Sequence, residues 1–319
     1  MLDVLITVDV EIWCDGWQDI DARFPDAFRR YIHGPTAEGD YGLPYQLKVL
    51  SDHGLKGVFF VEPLFAARFG PQPLAEIVGM IEAAGHEVQL HLHTEWVDEA
   101  REPLLPAVAG KRQHLRYFSR DEQTILIRKG MAMLGQAGAT SVNAFRAGSF
   151  GFNRDTLHAL AANGLPFDSS YNATLMGPDS GVMPGTLMTD PAICDGVSEY
   201  PMTVYRDGRG LRHAQLTSCS SAELEGLLWQ ALEQGRQAFV LLSHGFELLN
   251  TAKTRSDPVV VQRFRRLCQF LQQHSDSFRT TGFAGRDQAV AGVQHGPLTS
   301  PFHRTGMRMV EQAYRRRYG

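Results

Sequence analysis

The chain has 319 residues, 43% of them hydrophobic and 21% charged, a balance that supports a sizeable core and excludes extended disorder over most of its length. Its formal net charge of −4 at pH 7 supplies no basic field for a polyanion, so nucleic acid is not an expected partner. Cys14, Cys194, Cys219 and Cys268 form no CxxC pair, which suits reduced thiols in a cytoplasmic protein better than a disulfide framework.

The opening MLDVLITVDVEIW lacks the basic start and unbroken apolar run of an export signal. No segment reaches the ~20 continuous apolar residues of a membrane-spanning helix, so a cytoplasmic location is expected. The first predicted strand is LDVLITVDV (2–10), followed by a helix over 41–54 that stops at Gly54. GVFFVE (57–62), a helix over 74–86, HEVQLHL (86–92) and a helix over 120–138 come next, then NAFRAG (143–148). After a Gly-, Pro- and Thr-rich stretch of loops and short strands over 173–215 come a helix over 221–235, the strand QAFVLLSH (237–244), a helix over 257–274 and the weaker strand SFRTTGF (277–283).

Several of these strands are too apolar to have a wet face, the mark of a parallel sheet covered by crossover helices. No repeat or low-complexity linker interrupts the pattern, so one catalytic domain over 1–285 with a basic extension over 286–319 is the simplest organisation. Ser221 and Glu223 suit the start of the 221–235 helix and Gly235 its end.

In an α/β barrel the C-terminal ends of the strands meet at one rim, so polar residues there converge even when far apart in sequence. The first strand ends in TVDVEIW, where Asp9 and Glu11 are two apart and share a side. The third ends in HLHTEW, which offers His91, His93 and Glu95. If the turn after His91 is helical, Glu95 lies four residues on and can reach the same ion; if the strand continues, His93 is the better second ligand. Imidazole and carboxylate ligands of this kind suit Zn²⁺ or a similar divalent metal. FRAGSFG places Arg146 before a Gly-rich turn, PFDSSYN supplies Asp168, and LLSHGFELL puts His244 directly after an apolar run. Any one of these residues alone is more often a cap or turn residue than a catalytic one. Five segments obeying one rule is the stronger signal.

Taken in chain order, these motifs resemble those of the polysaccharide deacetylases, metal-dependent carbohydrate esterases with a distorted (β/α)7 barrel, over about residues 4–250. The resemblance implies Asp9 as catalytic base, Glu11 as metal carboxylate and His91 as metal ligand, with Glu95 or His93 in the place of a second histidine. It implies Arg146 as the residue orienting Asp9, Asp168 as the acid steadying Arg146, and His244 as general acid. Backbone N–H groups of the 147–150 turn would bind the oxyanion. The family's prolines are missing from FRAGSFG, and Val10 separates the two acids of the first motif.

The implied activity is removal of an N-acetyl or related N-acyl group from an acetamido sugar of a surface polysaccharide or its precursor. A small-molecule amide or formyl hydrolase, or a glycan-binding barrel without activity, are the alternatives. Trp13, Trp17 and Trp96 follow the two metal motifs and are sugar platforms or core residues. The tail FHRTGMRMVEQAYRRRYG carries Arg304, Arg308, Arg315, Arg316 and Arg317, which suits a solvated or subunit-packing helix, or contact with an anionic membrane surface.

Overall fold

The run LDVLITVDV forms the strand Leu2–Val10, with every residue except Asp3 buried. GVFFV forms Gly57–Val61, buried throughout. Neither has a solvated face, which is why their sequences are continuous rather than alternating. The computed structural model describes residues 1–107, 110–288 and 292–318, and within the last helix the side chains of residues 314 and 316–318 lie outside the described set.

Two compact units are present: Met1–Gly57 with Thr203–Thr281 and Pro297–Gly319, and Val58–Met202 with Gly282–Gly296. In the first, Leu2–Val10 lies between Ala238–His244 and Phe278–Thr280, all parallel. The hydroxyl of Thr7, buried on this strand, donates to the Leu241 carbonyl at 2.6 Å. Helices Leu43–Asp52, Ser221–Glu233 and Pro258–Gln273 follow the expected positions. The second of these is capped by Ser220 rather than Ser221. Its hydroxyl accepts from the Glu223 amide while the Glu223 carboxylate accepts from the Ser220 amide. That reciprocal pair satisfies two otherwise orphaned donors and sets the cap one residue before the expected one, with the helix starting at Ser221 as expected.

A hairpin of Val204–Arg206 and Leu211–His213 belongs to the same unit, as does the final helix Phe302–Tyr318. Arg308 on this helix is buried, its guanidinium paired with Asp207 at 2.5 Å and Glu223 at 3.0 Å and donating to the Tyr205 hydroxyl at 3.0 Å. Arg315 pairs with Asp257 at 2.7 Å, and Arg304 donates to the Ala222 carbonyl. Three of the five tail arginines therefore anchor the helix to its own unit rather than forming a free basic face. The side chains of Arg316 and Arg317 lie outside the described residues.

In the second unit Gly57–Val61, Glu87–Leu92, Ala144–Ala147, Phe167–Asp168 and Val197–Glu199 run parallel in that order, with Ala192–Cys194 antiparallel at the edge. Helices Gln72–Ala83 and Arg120–Gln136 match expectation, while Ile20–Phe28 in the first unit and Arg154–Ala162 in the second were not anticipated. The latter carried a legible start, since Asn153 and Thr156 form a capping box. No helix among the described residues is long and apolar enough to cross a membrane. All four cysteines are free and buried.

Candidate active site

The parallel register of the first unit sets Asp9 directly opposite His244. Both stand where the apolar runs end. Glu11, just past its strand, brings Oε1 to 3.8 Å from His244 Nε2. Asp9 and Glu11 are buried, at 4% and 7% exposure, in positions where an apolar core would not place carboxylates. The opposite ring nitrogen of His244, Nδ1, lies 2.8 Å from Glu247 Oε1 and must donate to that carboxylate. Gln215 Nε2 donates to the same oxygen, and Ser243 Oγ to the other at 3.3 Å. Gln46 secures the backbone behind, donating to the carbonyls of His244 and Gly245 at 2.9 and 3.0 Å. Burial alone would push the imidazolium pKa down. The Glu247 hydrogen bond and the charges of Glu247, Glu11 and Asp9 outweigh it and lift the pKa to about 9.

In the second unit the strand Glu87–Leu92 ends one residue before His93, which remains extended at φ −95° and ψ 102° and opens a short 3₁₀ turn, Thr94–Glu99. His91 pairs in register with Arg146, and its Nδ1 lies 2.8 Å from the Arg146 carbonyl oxygen. A carbonyl can only accept, so Nδ1 carries the hydrogen, which in the neutral ring leaves the lone pair on Nε2. The His91 and His93 rings meet edge to face at 4.8 Å. Glu95 Oε2 sits 3.4 Å from His93 Nδ1. Gly148 allows this arrangement by close approach, because a Cβ there would lie 2.6 Å from the Leu92 carbonyl oxygen and 2.8 Å from His93 Nδ1.

Arg146 is fully buried. It donates from Nε to the Ser169 carbonyl and from Nη2 to Ser169 Oγ, both at 3.1 Å, and its guanidinium lies 4.2 Å from the Phe60 ring centroid. Asp168 accepts from Ser170 Oγ at 2.6 Å and faces Glu199 across the strand pair. Burial raises the pKa of both carboxyls, and the charge of Asp168 raises Glu199 further, while Arg146 pulls both down. Ser169 thus fixes Arg146 by hydrogen bonds, and Asp168 acts on it through charge. The amide of Ala147 donates to Ser170 Oγ at 2.9 Å, which removes it from the expected oxyanion donors of the 147–150 turn. Ser149 and Phe150 in that turn adopt left-handed φ of 52° and 55°, a conformation that costs non-glycine residues about 1–3 kcal/mol and recurs at functional sites.

His91 and His93 in the second unit offer imidazole nitrogens, and Glu11 in the first offers a carboxylate. These are donor types that could hold a divalent cation. Glu95 stands against His93. Sequence reasoning missed Glu247, whose signal was its position three residues after His244. It also missed Glu62, the acidic residue that closes GVFFVE: Glu62 accepts from the amides of Leu64 and Phe65 at 2.8 and 3.3 Å, yet burial lifts its pKa to about 8. Trp96 is a core residue, edge-on to Phe65 and Phe69, whereas Trp13 and Trp17 are half-buried and meet edge to face at 6.0 Å.

Comparison with family models gives no match, and comparison with curated proteins gives none either. Among solved structures, a Mycobacterium smegmatis protein assigned as a polysaccharide deacetylase aligns over 92% of this chain and 95% of its own, with a TM-score of 0.51 and 20% identity. The fold is the distorted (β/α)7 barrel of the polysaccharide deacetylases. The mixed α/β architecture on parallel strands agrees with what the motifs implied. A family 4 carbohydrate esterase from Streptomyces lividans, solved with acetate, is similar at 14% identity and TM-score 0.46 over 90% of this chain and 96% of its own. A family 4 pseudoenzyme from Bacillus anthracis is similar at 13% and 0.43, over 87% and 62%.

Proposed function

We propose that this chain is a metal-dependent hydrolase that removes an N-acetyl or related N-acyl group from an amino sugar of a surface polysaccharide or its precursor. The observation that supports this most directly is the pairing of Asp9 with His244 across adjacent strand ends, with Glu11 3.8 Å from the imidazole. A core has no use for this trio, whereas amide hydrolysis needs a base, an acid and a carboxylate to hold a cation. Glu11, His91 and His93 are the residues that would hold it, with Zn²⁺ the best match to the donor set and Glu95 bracing His93 from behind. When bound, the cation lowers the pKa of water and polarises the acyl carbonyl.

In this reading the chain's own residues move the protons. Asp9 removes one from the attacking water. The turn after Ala147 and Arg146 have the roles that the resemblance gives them, backbone N–H groups meeting the oxyanion of the tetrahedral intermediate and the guanidinium orienting Asp9. His244, held by Glu247 through Nδ1 and protonated at Nε2, delivers a proton to the departing nitrogen as the C–N bond breaks. The products are a carboxylate and a free amine.

The experiment is release of acetate or formate by metal-loaded protein from a panel of free and nucleotide-linked acetamido sugars and small amides. Acetate from an acetamido sugar, abolished by Asp9→Asn, is expected. Formate from small amides alone would move the substrate to that class, and no acyl release from any compound would end the hydrolase reading.

A further inference from the structure

A solvent-open cavity of about 850 Å³ lies beside the His244 centre within the first unit, and Glu247 belongs to both: it holds His244 Nδ1 and lines the cavity wall. The size is that of a typical small-ligand site. Its lining is unusual in charge. Arg209 and Arg212 enter from the Val204–His213 hairpin region, Lys253 from the loop after Phe246, and Arg315 from the last helix, against two carboxylates, Glu247 and Asp257.

Both carboxylates are already committed. Asp257 caps the Pro258–Gln273 helix and pairs with Arg315 at 2.7 Å. Glu247 accepts from His244, Gln215 and Ser243. The remaining cations are poorly matched. The acid nearest Arg212 is Asp207 at 3.6 Å, and Asp207 is held more closely by Arg308 at 2.5 Å. Arg212 Nε is buried and makes no hydrogen bond among the described residues. Lys253 lies over the Tyr31 and Phe246 rings at 4.3 and 5.1 Å, with a 3.5 Å contact to the Thr251 carbonyl. Arg209 is exposed at the mouth. Cations drawn out of water without matching acids favour an anionic ligand, and guanidinium groups suit phosphate or carboxylate oxygens best.

We propose that this cavity is an anion subsite that receives a phosphate or carboxylate group carried by the amino-sugar substrate, with Arg212 and Lys253 as its principal contacts and Arg209 at its entrance. The assignment of that anion to a substrate rests on the deacetylase reading. The anion site itself does not. Phe246, between Lys253 and the His244 segment, supplies an apolar face for the sugar ring. The chemistry fits a sugar phosphate, linked to a nucleotide or lipid, or an acidic sugar bearing a carboxylate.

The test is equilibrium binding by the full chain, measured by calorimetry, of N-acetylglucosamine, N-acetylglucosamine 1-phosphate and N-acetylmuramic acid. The phosphorylated or the carboxylated sugar should bind about tenfold more tightly than the neutral one, and inorganic phosphate should compete. Arg212→Gln and Lys253→Met should each erase that advantage while leaving neutral-sugar binding and the thermal midpoint unchanged. A preference for the 1-phosphate over N-acetylmuramic acid identifies phosphate as the source, and the reverse identifies carboxylate. Equal binding of all three sugars, no binding of any, or variants that weaken neutral and anionic sugars alike, would overturn the proposal. Because binding is read without turnover, an arginine-dependent preference with no acyl release would sink deacetylation and leave the anion subsite standing.

Discussion

The buried arginine of the last helix and two imidazoles, one in each unit, differ in how their side chains are held. Arg308 in the last helix is enclosed by Asp207, Glu223 and the Tyr205 hydroxyl, so its charge is answered within the fold and it serves as an anchor. His91 is held by one ring nitrogen to a backbone carbonyl, and His244 by one ring nitrogen to Glu247, which in each case fixes the orientation of the other nitrogen. The difference teaches that burial of a polar group alone does not mark function. An imidazole pinned by a single nitrogen is oriented for a second bond, whereas a guanidinium surrounded by two acids and a hydroxyl is structural.

The contrast can be broken most forcefully at Asp9. Asp9→Asn keeps the shape and removes the base, so acyl hydrolysis should fall by about 10²- to 10⁴-fold with the thermal midpoint and metal content retained; stopped assays with metal analysis check both. Arg308→Ala should do the opposite, leaving the chemistry in place while lowering stability by about 3–5 kcal/mol, because Asp207 and Glu223 would remain buried without their cation. Denaturant unfolding measures this. Gly148→Ala sharpens the comparison between anchoring and orientation. The added methyl meets the Leu92 carbonyl and the His93 ring, so a loss of about 1–3 kcal/mol should come with weaker metal retention, read by titration against a chelator.

The mildest change is Glu247→Gln. Removing the carboxylate withdraws the largest favourable contribution that holds His244 charged, so the alkaline limb of the rate profile should move to lower pH by about one unit or more. The sign for stability follows from the same shift. A histidine raised from 6.5 to about 9 in the folded state stabilises the metal-free protein fully below pH 6.5, and that contribution disappears as pH rises through about 9. The variant should lose most of this slope, which thermal melts across the same range would show.

Much of this was legible in the sequence because strand ends announce themselves: apolar runs that cover both faces stop abruptly at Asp9, His91, Arg146 and His244, and a polar residue at such a point must face something other than core. The roles of neighbours were less legible. Whether His93 or Glu95 stands beside His91 depended on one extended residue before a 3₁₀ turn, a conformational detail that composition does not encode. Glu199 meets Asp168 only through strand register, and Gln215 reaches Glu247 from an irregular stretch, so neither pairing has a sequence spacing to betray it. The tail misled for a related reason. Arg308 and Arg315 look like part of a basic surface until Asp207, Glu223 and Asp257, all distant in sequence, are brought to them by the fold.

The proposed function depends most on a divalent cation, for which Glu11, His91 and His93 are the proposed ligands. Its most direct test is divalent-metal content, by plasma mass spectrometry, of wild-type and Glu11→Ala protein purified without chelator. A stoichiometric ion in the wild type that is lost from the variant is the predicted result; a wild type that binds no divalent ion even when loaded, or a variant that retains the full complement, would contradict it.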